Sequence, residues 1–118
     1  MTLAQQLTEI YLNEETYLKE KLPREEALRY YEEALAGGRI ISVTDGPILV
    51  GYLEFSIQHG VCFIVDLFIR PEYRRGQTYK MIKRRLFEVC KGIKIFTGER
   101  NKNGHRYPEF QIRRSHGE

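Results

Sequence analysis

The ten residues VCFIVDLFIR, 61–70, constrain the fold more than any other stretch of the chain. Alternate side chains of a strand point to opposite faces. Phe63, Val65, Leu67 and Ile69 then oppose Ile64, Asp66, Phe68 and Arg70, and both faces are largely apolar. A strand of that kind needs cover on both sides and belongs at the centre of a sheet. It ends at Pro71, and a helical stripe of Met81, Ile82, Leu86, Val89 and Cys90 follows, running to about Lys91 before Gly92. The short apolar run IKIFT comes next. Strand, helix and strand in succession predict a right-handed parallel crossover.

Upstream, Leu3, Leu7, Ile10 or Tyr11, and Tyr17 or Leu18 keep helical spacing to about Lys21, loosened near NEE. Pro23 opens a second helix, PREEALRYYEEALAGG, with acids in its first turn, a core face of Ala27, Tyr30, Tyr31, Ala34 and Leu35, and Gly37 at its end. RIISVTD and ILVGYLEFSIQ flank DGP, a hairpin signal, and His59–Gly60 turns the chain into the central strand. In ILVGYLEFSIQ, alternation places Leu49, Leu53, Phe55 and Ile57 on one face and Tyr52 and Glu54 on the other. After IKIFT, GERNKNGHRY reads as a polar loop and EFQIRR as a last strand. The order is α-α-β-β-β-α-β-β, an α/β (α+β) chain with a mixed sheet, expected to form a single domain over 1–118.

No apolar run approaches the roughly 20 residues of a membrane helix. The N-terminus, MTLAQQLTEIYLNEE, has neither the basic nor the long apolar region of a leader. Cys62 and Cys90 fall in apolar periodic segments without metal-ligand spacing, and His59, His105 and His116 complete no zinc set. No metal is expected, and buried thiols predict a reducing, cytoplasmic location. The net charge of +3 divides unevenly. Residues 1–73 carry 6 Lys/Arg against 12 Asp/Glu, a net of −6, and residues 74–118 carry 13 against 4, a net of +9. A basic last third suits an anionic ligand or partner.

The junction RPEYRRGQTYKMI, 70–82, concentrates that charge. A helix start leaves main-chain N–H groups unpaired and carries about half a positive charge. Fed directly from a strand through a turn with Gly76, Arg74 and Arg75, it can hold a phosphate; the same residues also suit an ordinary solvated turn.

The order of elements over about residues 3–97 resembles the GNAT superfamily of acyl-CoA N-acyltransferases. VDLFIRPEYRRGQTYKMIKRRL, 65–86, carries the likeness. It is similar to that family's central strand, its V-x-P-x-Y-R exit and its pyrophosphate loop, Q/R-x-x-G-x-G/A. Aligned one residue shorter, the loop places the two family glycines on Gly76 and Thr78, and the apolar helix positions on Met81, Ile82 and Leu86. The resemblance implies a GNAT-like mixed sheet and acetyl-CoA (or CoA) as co-substrate. Main chain at Leu67, Phe68 and Ile69 would pair with the pantetheine arm, as an added strand does. Arg74, Arg75, Gly76, Gln77, Thr78 and Tyr79 would hold the pyrophosphate. An amine would attack the thioester directly, a carboxylate or its water would take the proton, and a Tyr or water would protonate the thiolate. Asp66 is the first choice of base, then Glu54, then Glu99, and Tyr107 in NKNGHRYPEF is the candidate acid.

By the same comparison, a strand before the helices and another at the end are expected to be absent. That shortening resembles small, diverged members in phage and mobile-element genomes. It would leave a sheet edge for a second copy or a protein partner. Three readings stay open. One is an acyl-CoA-dependent N-acyltransferase acting on an unidentified primary amine. The second is an inactive protein of the same fold that binds or assembles with a protein or nucleic acid through its basic last third. The third, a nucleic-acid module unrelated to the family, would stack bases on Tyr73, Tyr79, Tyr107 and Phe110.

Overall fold

In a computed structural model of the protein, residues 1–14 and 20–98 are described with their side chains. Residues 101–102, 105–106 and 110–113 are described through their backbone. Thr2 starts the first helix, its hydroxyl accepting from the Gln5 N–H at 3.1 Å while Gln5 accepts the Thr2 N–H at 2.7 Å. This reciprocal pair satisfies two of the donors that a helix start leaves open. Helices α1 (Leu3–Asn13) and α2 (Arg24–Ala36) precede strands β1 (Ile40–Asp45), β2 (Ile48–Gln58) and β3 (Val61–Ile69). A short 3-10 turn at Pro71–Tyr73 leads to α3 (Thr78–Val89) and then β4 (Ile95–Gly98). Strands β5 (Asn101–Lys102), β6 (His105–Arg106) and β7 (Phe110–Arg113) follow.

Five strands form one mixed sheet in the order β1-β2-β3-β4-β7, with β3 in the middle as its two apolar faces require. The α3 crossover joins β3 to β4 in parallel, and β4 pairs β7 antiparallel. The β2–β3 turn places His59 at φ 52 and Gly60 at φ 76, the paired left-handed conformation of a tight hairpin. GERNKNGHRY differs from the loop expected of it, since β5 and β6 pair within it. α1 is shorter than its apolar spacing implies, and 15–19 lie outside the described residues. Val89 closes α3 on its exposed side, at 59% exposure, rather than on the buried stripe.

The helices cover both faces of the sheet around its centre, while Ile57, Phe63, Val65 and Ile95 stay exposed. α3 packs Ile82 and Leu86 against Ile41, Val43, Val50, Leu53, Phe55, Cys62 and Phe96. α1 and α2 pack Ala4, Leu7, Ile10 and Tyr31 against Leu49, Tyr52 and Phe68. Each hundred square ångströms of apolar surface removed from water contributes about 2.5 kcal/mol, so these two layers are the main source of stability.

Two β-bulges change the alternation read from the sequence. Val43 pairs Gly51 while Thr44 pairs Leu49, so Val50 is an extra residue in β2. Leu49 therefore lies with Tyr52 on the α1/α2 face, not with Leu53 and Phe55. Glu54 pairs Asp66 while Phe55 pairs Ile64, so Val65 is an extra residue in β3. Cys62, Ile64, Leu67 and Ile69 accordingly face α3, whereas Asp66 and Phe68 face the other way. The expected grouping of Ile64 with Asp66 is thus corrected. Side chains complete the pairing at the first bulge: Leu49 N–H donates to Gln6 Oε1 at 2.8 Å, and Arg70 Nε donates to Leu49 C=O at 2.7 Å. Among the described residues no helix is long and apolar enough to cross a membrane.

Candidate functional site

The site begins where the sheet opens. β4 pairs β3 only from Val61–Ile95 to Ile64–Gly98, and beyond Ile64 the described residues supply β3 with no partner on that side. Gly98 permits the last close approach: a Cβ there would lie 2.7 Å from the Ile64 carbonyl oxygen and 2.8 Å from its Cβ. Immediately after comes the Val65 bulge. Arg70 N–H donates to Val50 C=O at 2.8 Å, which fixes the phase of the β3 main chain. With a period of two, Phe68 also turns its main-chain groups toward β2, while Leu67 and Ile69 present theirs to the open edge. Of the three residues expected to pair with an extended ligand, Leu67 and Ile69 have that orientation. Phe68 contributes instead a buried ring, 6.2 Å from the Tyr52 ring.

The chain then leaves β3 through Pro71–Tyr73 and enters α3 at Thr78. The first helical bond runs from Met81 N–H to Gln77 C=O at 2.9 Å. The N–H groups of Gln77, Thr78, Tyr79 and Lys80 are consequently the four that a helix start leaves without an intrahelical acceptor. Gln77 makes no side-chain cap, and Arg74, Arg75, Gly76 and Gln77 are exposed. The helix registers as the shortened loop requires. Thr78 turns its methyl group into the core, where a Cβ placed on Gly51 would meet it at 2.9 Å. Its side chain thus seats α3 on the sheet. Tyr79 is half-buried, with Lys83 Nζ 6.0 Å from its ring centroid, and burial raises its hydroxyl above the usual tyrosine range.

On the α1/α2 face of the same strands, Glu54 and Asp66 are direct cross-strand partners. Glu54 is buried, accepts a hydrogen bond from the Tyr30 hydroxyl and lies 3.9 Å from Arg39 Nη1. Burial pushes its carboxyl above the usual range, with the Asp66 charge adding to the rise; the Tyr30 bond and Arg39 oppose it. Tyr30 is pushed up to about 12, first by burial and then by its bond to Glu54. Asp66 accepts from the Tyr52 hydroxyl at 2.6 Å through Oδ2 and from the Leu67 N–H at 2.9 Å through Oδ1. The arrangement joins two carboxylates to the open edge of β3: one is buried and harder to ionise, the other lies on the edge itself.

The sequence marks both carboxylates as acids in apolar strands, but nothing in it singles out Tyr30 or Arg39. Tyr30 sits beside Tyr31 in a helix stripe that reads as core, and only its pairing with Glu54, 24 residues away, gives it another role. Glu99 and Tyr107 lie outside the described residues. Among the described residues, no three His, Cys, Asp or Glu side chains converge as metal ligands would. Cys62 and Cys90 are buried thiols with Sγ atoms 4.0 Å apart.

Similar folds occur in solved structures. An N-acetyltransferase from Staphylococcus aureus Mu50 matches with a TM-score of 0.63 at 11% identity, over 83% of this chain and 69% of that one. The PaiA N-acetyltransferase of Thermoplasma acidophilum, solved with coenzyme A, matches with a TM-score of 0.59 at 18% identity, over 86% and 71%. The diaminobutyrate acetyltransferase EctA of Paenibacillus lautus, solved with L-2,4-diaminobutyric acid and coenzyme A, gives 0.60 at 13%, over 82% and 59%. At such identities these likenesses establish the fold. Comparison with the curated proteins finds no match. The family model for acetyltransferases of the GNAT family, however, matches residues 4–107, a span that contains the opened β3 edge, the α3 N-terminus and the Glu54–Asp66 pair. This chain belongs to the GNAT acetyltransferase family.

Proposed function

We propose that this protein transfers an acetyl group from acetyl-CoA to a primary amine, by direct attack of the amine on the thioester. The observation that carries the reading is the geometry of β3. Its main chain leaves β4 after Ile64, and the same strand runs within a few residues into four open N–H groups at the start of α3. An extended amide-bearing arm fits the edge at Leu67 and Ile69, as a strand would. A pyrophosphate fits the α3 N-terminus, beside Arg74 and Arg75. Solved members of the same fold bind CoA or acetyl-CoA.

The carboxylates supply the acid–base chemistry. As the C–N bond forms and the C–S bond breaks, the amine proton passes to Glu54, directly or through a water. The departing thiolate takes a proton from solvent or from Tyr107. Sequence reading favours Asp66 as the base; Glu54, its direct cross-strand partner, is the carboxyl whose affinity for a proton burial raises, and it takes that role here. A base works best when its affinity for the proton approaches the working pH. The acidic first half of the chain also suits an acceptor that arrives as an ammonium ion and gives one proton to solvent before the neutral amine attacks.

Thermal unfolding is followed while acetyl-CoA or CoA is titrated into the wild type and an Arg75→Glu/Gly76→Asp variant. Both positions are exposed, and a Cβ on Gly76 meets nothing nearer than the Tyr73 carbonyl at 3.7 Å, so the variant is expected to fold. Saturable binding adds about 2.7 kcal/mol at a hundredfold excess over Kd. A shift in the wild type that the variant loses supports the reading, with thiol release measured against a panel of amines as the next step. No shift in the wild type at millimolar ligand sinks it.

A further inference from the structure

We infer that Asp66 and Arg74 set the affinity of the β3 edge for its acyl donor, because they hold the two main-chain groups that the donor's arm needs. The inference rests on the acyl-CoA reading given above and concerns the strength of binding at that site. Leu67 N–H and Ile69 C=O both face the edge that β4 has left. Neither is open to solvent in the simple sense. Asp66 Oδ1 accepts the Leu67 N–H at 2.9 Å, and Arg74 Nε donates to the Ile69 C=O at 2.8 Å. An acceptor thus sits on the N–H and a donor on the C=O, the same polarity that the amides of an extended arm would offer.

Both side chains are anchored for this task. Asp66 Oδ2 stays on the Tyr52 hydroxyl at 2.6 Å, and Tyr52 is fully buried. The Arg74 guanidinium lies over the Phe68 ring at 6.0 Å from its centroid. The geometry also answers the hazard of an exposed strand edge, whose unpaired groups would otherwise recruit another strand. A ligand that pairs with Leu67 and Ile69 must first displace these charged partners. Each such bond is worth roughly tenfold in an equilibrium constant. Displacement has different consequences at the two positions. Asp66 keeps Tyr52 and remains opposite Glu54. Arg74 is released at the approach to α3, where a phosphate-bearing ligand can take it up and a phosphate-free one cannot.

Two variants separate these effects. Tyr52→Phe/Asp66→Ala removes the carboxylate without leaving a buried hydroxyl unpaired. Arg74→Met keeps an exposed, flexible side chain but removes the donor. Calorimetric Kd values are measured for acetyl-CoA with the first variant and for S-acetylpantetheine, which carries no phosphate, with the second. In parallel, amide hydrogen exchange is followed at Leu67. The expected result is roughly tenfold tighter binding in each case, and faster Leu67 exchange in the Asp66 variant without ligand. If the wild type binds both ligands and neither variant binds its ligand more tightly, the inference fails while the acyl-CoA reading stands. If no protein binds acetyl-CoA, the acyl-CoA reading falls and takes the inference with it. Unchanged exchange at Leu67 overturns the Asp66 part regardless of ligand.

Discussion

The seat of α3 on the sheet can be tested by one methyl group. Gly51 lies in β2 opposite Ile69, directly beneath the start of α3. A Cβ added there would stand 2.9 Å from Thr78 Cγ2 and 3.3 Å from both Ile69 Cγ1 and Ile82 Cδ1. Thr78 is buried and Ile82 fully so, which leaves these atoms little room to yield. Overpacking of this kind costs about 1–3 kcal/mol. At this chain length, Gly51→Ala should lower Tm by roughly 4–15 °C. Thr78→Ser removes the nearest obstructing atom, and alone it loses about 0.8 kcal/mol for one buried methyl group. The double variant should be more stable than the two single losses imply, with a favourable coupling of about 1 kcal/mol. Urea unfolding of all four proteins closes the cycle. The same set read by acetyl-CoA titration carries the functional consequence. Gly51→Ala should weaken binding by lifting the four N–H groups of the helix start from the β3 exit, and Thr78→Ser should restore it. Energies that add within about 0.5 kcal/mol would refute the contact as the seat of the helix.

Glu54→Gln should separate catalysis from stability. Burial raises the Glu54 carboxyl, so its ionisation costs stability as pH rises through the folded value, and the cost is absent below the unfolded value of about 4.3. The variant should therefore match or exceed the wild-type Tm at pH 7–8, lose that advantage near pH 4, and drop kcat by about 10²–10⁴-fold if Glu54 is the base; a Tm deficit at pH 8 would count against this account. Gly98→Ala places a Cβ 2.7 Å from a backbone oxygen that cannot rotate away. It should shorten the β3–β4 pairing, seen as faster amide exchange at Ile64 and Thr97 than at Leu53, and unchanged exchange would contradict the close approach.

Much of this architecture is legible in the sequence, for identifiable reasons. The two-faced apolar run at 61–70 dictates a central strand, and helical periodicity after Gly76 selects the register that puts Thr78 and Met81 where the structure has them. The carboxylates are legible as acids in otherwise apolar strands. The faces are not. Alternation is a local signal, whereas a bulge is decided by what the neighbouring strand and the covering helices accept. Val50 and Val65 are ordinary strand residues; Gly51 beside Val50 is a signal of a bulge or close approach, and no such residue adjoins Val65. For the same reason Leu49 is misplaced from sequence and Tyr30 is passed over as core, since its partner lies in another element.

The Val65 bulge links the parts of the site. Strict alternation from Cys62 would carry Ile64 and then Asp66 into the apolar layer beneath α3, where an ionised carboxylate could not be kept without a partner. One extra residue turns Asp66 to the other face, beside Glu54 and the Tyr52 hydroxyl. It also gives the α3 face Leu67 and Ile69, whose side chains pack against that core while their main-chain groups look outward. The bulge follows the last β3–β4 pair, so the strands part where the phase changes. A single irregularity thereby sets the carboxylate pair, the opened edge and the line from that edge to the α3 N-terminus. Acids placed on β2 and β3 without this phase change would lie on opposite faces, and could not act together on the thioester that the proposed reaction places at the β3 edge.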